Sequence, residues 1–128
     1  MAVLDTSFLI DVLKGNKQCL ELMNLLDRNN EEKCTTTVNA MELYFGALKL
    51  NKSTDAIFSL LDSLIILEFD FNSAIEAAKI KIGLVKGGTI IDAEDMMIAG
   101  VAIFNKQKVV TRNAKHFSLI KDLEVETY

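Results

Sequence analysis

Hydrophobic positions along the chain follow two patterns, short unbroken runs and repeats every three or four residues. The short runs of apolar or β-branched residues predict β-strands, at residues 2–4, 33–38, 64–69, 108–111 and 123–127. The segments in which apolar side chains recur at helical spacing predict α-helices, at residues 7–14, 19–26, 41–50, 55–64, 72–82 and 93–104. Strands therefore alternate with helices along the whole sequence.

This alternation predicts the fold class. Strands separated by helices form βαβ units, in which the strands are parallel and the helices cover both faces of the sheet. We therefore expect an α/β protein with three layers, α/β/α, around a central parallel sheet. The 128 residues suit one domain spanning positions 1–128.

Composition and charge narrow the functional classes. Half of the residues are hydrophobic and the net charge is −4, which argues against a nonspecific nucleic-acid binder but not against an enzyme that acts on RNA with bound cations. The two cysteines are too few for a disulfide scaffold and are expected to be reduced core residues. No segment has the length of a membrane helix and no signal peptide is visible, so we expect no membrane association and a cytoplasmic location.

Three carboxylates stand where an apolar segment stops or a helix begins. Asp5 follows the apolar run at 2–4, Glu42 lies near the start of the third helix, and Asp95 lies near the start of the sixth. In open parallel sheets, sites form at the carboxyl ends of the strands. Because these acids and the polar segment 111–113 are all expected at that edge, the sequence predicts that they converge.

Each acid also has a purely structural interpretation. Asn39 and Glu42 have the spacing of a capping box, with Asn39 as helix N-cap. Asp92 suits the N-cap of the sixth helix, and Asp95 would interact favourably with that helix's dipole. Asp5 is the hardest to explain in this way, because a carboxylate at the end of a buried strand needs a partner or a metal ion.

The functional interpretation is a site for one or two Mg²⁺ or Mn²⁺ ions, which prefer oxygen ligands. His116 is the only histidine, so a zinc site built from histidines would lack ligands. We expect His116 to be a surface or capping residue. The glycine-rich loops of nucleotide-binding proteins and the nucleophile elbow of hydrolases are both missing.

Four segments together resemble a known family in their order and spacing. They read Val-Leu-Asp-Thr-Ser at 3–7, Glu-Leu-Tyr-Phe-Gly-Ala at 42–47, Gly-Thr-Ile-Ile at 88–91 leading to Asp-Met-Met-Ile-Ala at 95–99, and Val-Thr-Arg-Asn at 110–113 followed by His-Phe at 116–117. This combination resembles the PIN domain and, within it, the VapC-type toxins of prokaryotic toxin–antitoxin pairs. The resemblance extends from Val3 to Val125.

The resemblance implies a Mg²⁺- or Mn²⁺-dependent endoribonuclease in which Asp5, Glu42 and Asp95 are the catalytic, metal-holding acids. The family's fourth acidic position falls near Asn113, and Asp92 could supply the missing charge. Residues on the same rim are candidates for binding the RNA backbone or for holding the carboxylates, and these are Thr6, Ser7, Thr111, Arg112 and Lys115. An antitoxin protein and a homodimer are the implied partners, with the apolar helix at 43–50 as a candidate contact surface.

Three other functions are considered at this point. A non-catalytic binding module that keeps the fold has no positive support, because all three main acids are present. A PIN nuclease of RNA processing or decay would carry the same acids. A receiver-like signalling domain also has an acid after its first strand, but it needs a second acid beside Asp5 and a lysine after a late strand. Thr6 and Arg112 occupy those places here, which disfavours the receiver.

Overall fold

A computed structural model describes residues 1–128, and at its centre is a parallel sheet of five strands in the order β3-β2-β1-β4-β5. The strands are β1 (Ala2–Leu4), β2 (Lys33–Thr36), β3 (Ile65–Leu67), β4 (Lys108–Val110) and β5 (Val125–Glu126). Every neighbouring pair is parallel. The first strand is the middle one and its three residues are fully buried, which explains why it reads as an unbroken apolar run.

Seven helices surround the sheet. They are α1 (Thr6–Leu13), α2 (Lys17–Arg28), α3 (Thr37–Lys49), α4 (Asp55–Asp62), α5 (Phe71–Lys86), α6 (Ala93–Phe104) and α7 (Ala114–Phe117). Successive residues of a strand point to opposite faces, and Leu4 accordingly belongs to a core cluster with α1 to α4, whereas Val3 belongs to a second cluster with α5 to α7. The predicted three-layer α/β/α architecture with a central parallel sheet is confirmed.

Helix α3 begins earlier than the sequence predicts. Its N-cap is Thr36, whose hydroxyl accepts a hydrogen bond from the backbone N–H of Asn39. The side-chain oxygen of Asn39 accepts one from the backbone N–H of Thr36. The predicted capping box between Asn39 and Glu42 is therefore wrong. The β-branched residues Thr37 and Val38 favour a strand by propensity, but they form the first turn of the helix because the cap at Thr36 ends β2.

Helices α5 and α6 approach each other closely at one glycine. A Cβ added to Gly100 would lie 2.6 Å from the carbonyl oxygen of Ser73 and 3.0 Å from the backbone nitrogen of Ala77. Helix α5 also extends to Lys86, beyond the predicted end of this helix at residue 82, so Gly83 lies inside it. The close contact between the two helices fixes the position of α6, which carries Asp95.

Two further expectations concern the chain as a whole. Cys19 and Cys34 are free and buried, as predicted. None of the helices combines the length and the apolar character that crossing a membrane requires.

Candidate active site and metal centre

The predicted site residues lie at the edge of the sheet where the strands end. Asp5 directly follows β1 and is the N-cap of α1, and Thr111 directly follows β4, the strand hydrogen-bonded to β1. Glu42 lies in the second turn of α3, which follows β2 on the other side of β1. Asp95 lies in the first turn of α6. The parallel sheet thus brings together residues from four distant parts of the sequence.

Asp5 is held from both sides by neutral hydrogen-bond donors. Its side chain is almost completely buried. Oδ1 accepts a hydrogen bond from Nδ2 of Asn39 at 3.1 Å. Oδ2 accepts hydrogen bonds from the hydroxyl groups of Thr111 at 2.7 Å and Ser7 at 3.3 Å. No lysine or arginine pairs with this buried carboxylate, so its charge is not neutralised by the protein.

Glu42 is connected to Asp5 through two polar side chains. The Thr6 hydroxyl donates to Oε1 of Glu42 at 2.6 Å. The same hydroxyl accepts a hydrogen bond from Nδ2 of Asn39 at 3.0 Å, and Asn39 also contacts Asp5. Thr6, Ser7 and Thr111 were candidates for binding RNA or holding carboxylates, and in the structure each donates a hydrogen bond to a carboxylate.

Asp95 is paired with the only histidine of the chain. Nδ1 of His116 lies 3.1 Å from Oδ2 of Asp95, whose side chain is 13% exposed. The expectation that His116 is a surface or capping residue missed this contact. Its position six residues after the end of β4, at the same edge of the sheet as Asp5, could have indicated that it belongs to the site. Asn113 also approaches the histidine, with its Nδ2 3.4 Å from Nδ1 of His116.

Asp92 completes a second group of ligand atoms. It occupies the N-cap position of α6 as predicted, but its side chain caps no backbone N–H. Single ligand atoms of Asp92, Asp95 and His116 all lie within 4.8 Å of one another. The carboxylate of Asp92 is therefore available to a cation beside Asp95.

Burial and mutual repulsion disfavour the ionised forms of these acids. Burial raises the pKa of Glu42, and the negative charges of Asp5 and Asp95 raise it further, whereas the hydrogen bond from Thr6 lowers it. Burial also raises the pKa of Asp95, with Asp5 adding to the effect and His116 opposing it. The three acids are thus within electrostatic reach of one another.

This donor set fits a hard divalent cation. Asp92 and Asp95 offer carboxylate oxygens beside the ring nitrogen of His116, and Asp5 and Glu42 lie within electrostatic reach of Asp95. Carboxylate oxygens are the ligands that Mg²⁺ and Mn²⁺ prefer. A bound cation would also remove the repulsion that raises the pKa of Glu42 and Asp95.

The two basic candidates on this rim differ in their contacts. Nη1 of Arg112 lies 3.1 Å from both carboxylate oxygens of Asp11, a buried residue that also accepts a hydrogen bond from the Tyr128 hydroxyl at 2.6 Å. Sequence reasoning missed Asp11 because its partners are more than 100 residues away. Lys115 is exposed and pairs with no acid.

Comparison with known proteins gives the family. The family model described as "PIN domain" matches residues 2–123. The chain belongs to the PIN domain family.

Similarity over the full length indicates the subgroup. The tRNA(fMet)-specific endonuclease VapC of Salmonella typhimurium is 29% identical over 130 residues, which cover 98% of this chain and 96% of the relative. Ribonuclease VapC3 of Methanocaldococcus jannaschii is 36% identical over 100 residues, covering 78% and 96% respectively. This PIN domain is therefore of the VapC type, as the sequence resemblance predicted.

A solved structure agrees with this assignment. The DNA-bound VapBC complex of Salmonella typhimurium contains a chain that superposes on this PIN domain with a TM-score of 0.83 at 27% identity. The match covers 99% of this chain and 98% of the other. The likeness thus includes every strand and helix described above.

Proposed function

We propose that this VapC-type PIN domain is a Mg²⁺- or Mn²⁺-dependent endoribonuclease that acts as the toxin of a toxin–antitoxin pair. The observation that carries the proposal is the convergence of Asp5, Glu42 and Asp95 at the carboxyl edge of the sheet, with no lysine or arginine to neutralise them. The similarity to proteins named as a VapC endonuclease and a VapC ribonuclease, over 98% and 78% of this chain, supplies the reaction class.

Asp5 and Asp95 are the principal residues that would hold the cation, with Glu42, Asp92 and Asn113 beside them. When bound, the cation would make water acidic enough to ionise near neutral pH, and it would neutralise negative charge on the scissile phosphate. Thr111 and Ser7 keep the Asp5 carboxylate in one orientation through their hydroxyl groups. Such fixed orientation limits reorganisation when the transition state forms.

Glu42 would orient the attacking water. Its Oε1 is occupied by the Thr6 hydroxyl, whereas Oε2 makes no hydrogen bond to the protein and is free to accept a proton from water. Glu42 is therefore suited to position the nucleophile and to share its proton.

Arg112 and Lys115 would contact the RNA backbone beside the acids. The Arg112 side chain is 62% exposed although Nη1 binds Asp11, so its remaining N–H groups can donate to phosphate. The backbone N–H of Arg112 donates to Ser7 at 3.1 Å, which places this residue next to the hydroxyl that contacts Asp5. With a net charge of −4, these local cations and the metal would offset repulsion between protein and RNA.

The direct test is cleavage of purified RNA. We expect the protein to cut RNA internally with Mg²⁺ or Mn²⁺ and to lose this activity when EDTA removes the cation. Transfer RNA and messenger RNA should be assayed side by side, because the Salmonella relative is named for tRNA(fMet). Activity that survives in EDTA, or no cleavage of any RNA with either metal, would contradict the proposal.

We also propose that an exposed apolar face of α3 contributes to a homodimer and to binding of an antitoxin. Met41, Phe45 and Leu48 recur at helical spacing and are 53%, 64% and 65% exposed, whereas Leu43 on the opposite side lies in the core. Exposed apolar patches of this kind mark interaction surfaces. The Salmonella VapBC complex supports an antitoxin partner.

The dimer is tested by sedimentation at micromolar concentration. We expect a dimer for the wild type and a monomer for Phe45→Glu, because a charge in an apolar interface loses its solvation. Lys81→Glu, an exposed change on α5 away from this face, serves as control. A wild-type monomer at this concentration would contradict the dimer.

A further inference from the structure

Asn39 is a fully buried polar residue that connects two of the three principal acids. It lies in the first turn of α3, and its side chain has no exposed area. Nδ2 donates to Oδ1 of Asp5 at 3.1 Å and to the Thr6 hydroxyl at 3.0 Å. That hydroxyl donates in turn to Glu42 at 2.6 Å. The Asn39 amide group therefore contacts Asp5 directly and is linked to Glu42 through the Thr6 hydroxyl.

The other end of the amide fixes its orientation. Oδ1 of Asn39 accepts hydrogen bonds from the backbone N–H and the hydroxyl of Thr36 at 3.2 Å and 2.7 Å. A rotated amide would place its oxygen against the Asp5 carboxylate and its NH₂ against the Thr36 N–H. Both contacts would then be unfavourable. The N-cap of α3 therefore determines which side of Asn39 faces the acids.

The charge of the amide matters as much as its geometry. Asp5 and Glu42 are carboxylates joined through Asn39 and Thr6, so two like charges are held close to each other. A lysine or arginine between them would relieve the repulsion but would also compete with a cation. The neutral amide of Asn39 restrains both side chains and leaves their combined negative charge available to a metal ion.

We propose that Asn39 is a positioning residue that sets the affinity of the site for its divalent cation. The inference rests on the proposed metal-dependent function. Polar groups that orient metal ligands typically change metal affinity by about 10- to 100-fold when they are removed. Asn39 contacts Asp5 at the β1–α1 junction and, through Thr6, Glu42 in α3, so its loss should loosen Asp5 and Glu42 together.

The test measures binding of Mn²⁺ alone to the full chain, without RNA, by isothermal titration calorimetry. We expect Asn39→Ala to weaken Mn²⁺ binding by about 10- to 100-fold. Asn16→Ala is the matched control, because Asn16 also caps a helix through its side-chain oxygen, at α2, and contacts none of the acids. That variant should bind Mn²⁺ within about twofold of wild type, since a cap alone does not orient metal ligands. Circular dichroism and thermal melting confirm that both variants are folded.

A second measurement separates positioning from a general structural role. Half-maximal RNA cleavage by Asn39→Ala should require about 10- to 100-fold more Mn²⁺, and the rate should recover to near the wild-type value once the metal is saturating. Should Asn39→Ala fail to fold, Asn39→Ser is used, whose side chain is too short to reach Asp5.

The possible failures are distinguishable. Wild-type protein that binds no Mn²⁺ would overturn the proposed metal-dependent function and this inference with it. Wild-type protein that binds Mn²⁺ while the folded Asn39 variant binds it equally well would overturn the role of Asn39 alone. Loss of affinity in both Asn39→Ala and Asn16→Ala would assign the effect to stability and would also overturn the role.

Discussion

Replacement of Asp5 by asparagine is expected to reduce metal-dependent RNA cleavage by about 10³-fold or more, because residues that act as one catalytic unit cause losses of this size. Asp5 lies between three donors, and an asparagine would have to turn its NH₂ group toward Asn39 or Thr111, both of which donate to it now. The change therefore removes a charge from the metal site and also disturbs the orientation of the remaining oxygen.

The fold should survive this change. Removal of one of several repelling carboxylates offsets the cost of turning an NH₂ group toward a donor, so Asp5→Asn should melt near the wild-type temperature. Initial cleavage rates at saturating Mn²⁺ provide the measurement. Asp62→Asn, which removes an exposed acid of α4 that makes no hydrogen bond, should retain wild-type activity.

Glu42→Gln and Asp95→Asn are expected to cause comparable losses by the same mechanism. A folded Asp5→Asn protein that cleaves RNA within about tenfold of the wild-type rate would show that this acid does not belong to the catalytic unit. The ribonuclease activity itself would then require a different set of residues.

Substitution of Gly100 by alanine is expected to destabilise the protein by about 3 kcal/mol, near the upper end of the usual cost of overpacking. The added Cβ would lie 2.6 Å from a backbone oxygen and 3.0 Å from a backbone nitrogen of α5. Neither atom can move aside as a side chain could. The two helices must separate, which opens the core between them.

Gly83→Ala is the matched control for this prediction. Gly83 lies in α5, the helix that Gly100 contacts, but nothing lies within 4 Å of the position of its added Cβ. Because glycine disfavours helix by up to about 1 kcal/mol relative to alanine, this variant should be slightly more stable than wild type. Urea unfolding in EDTA measures both. Equal midpoints for the two variants would show that α5 and α6 can separate without cost.

The sequence determined the architecture and the principal acids because both depend on local patterns. Apolar runs and helical repeats show where strands and helices lie, and parallel strands must end at one edge. An acid directly after a buried strand, such as Asp5, is therefore placed at the site before any contact is known. Glu42 and Asp95, near the starts of helices, were expected at the same edge, and the structure brings both within electrostatic reach of Asp5.

The tertiary structure alone decided which neutral and basic groups complete the site. Asn39 has the sequence of an N-cap, and only the observed end of β2 at Thr36 turns its amide toward Asp5. His116 meets Asp95 across 21 residues, and Arg112 meets Asp11 across 101. Such contacts depend on how helices pack against the sheet, and the close approach at Gly100 is part of that packing. Local propensity carries no information about these distances. The acids and their hydroxyl partners could therefore be proposed from the sequence, whereas the contacts of Asn39 and His116 could not.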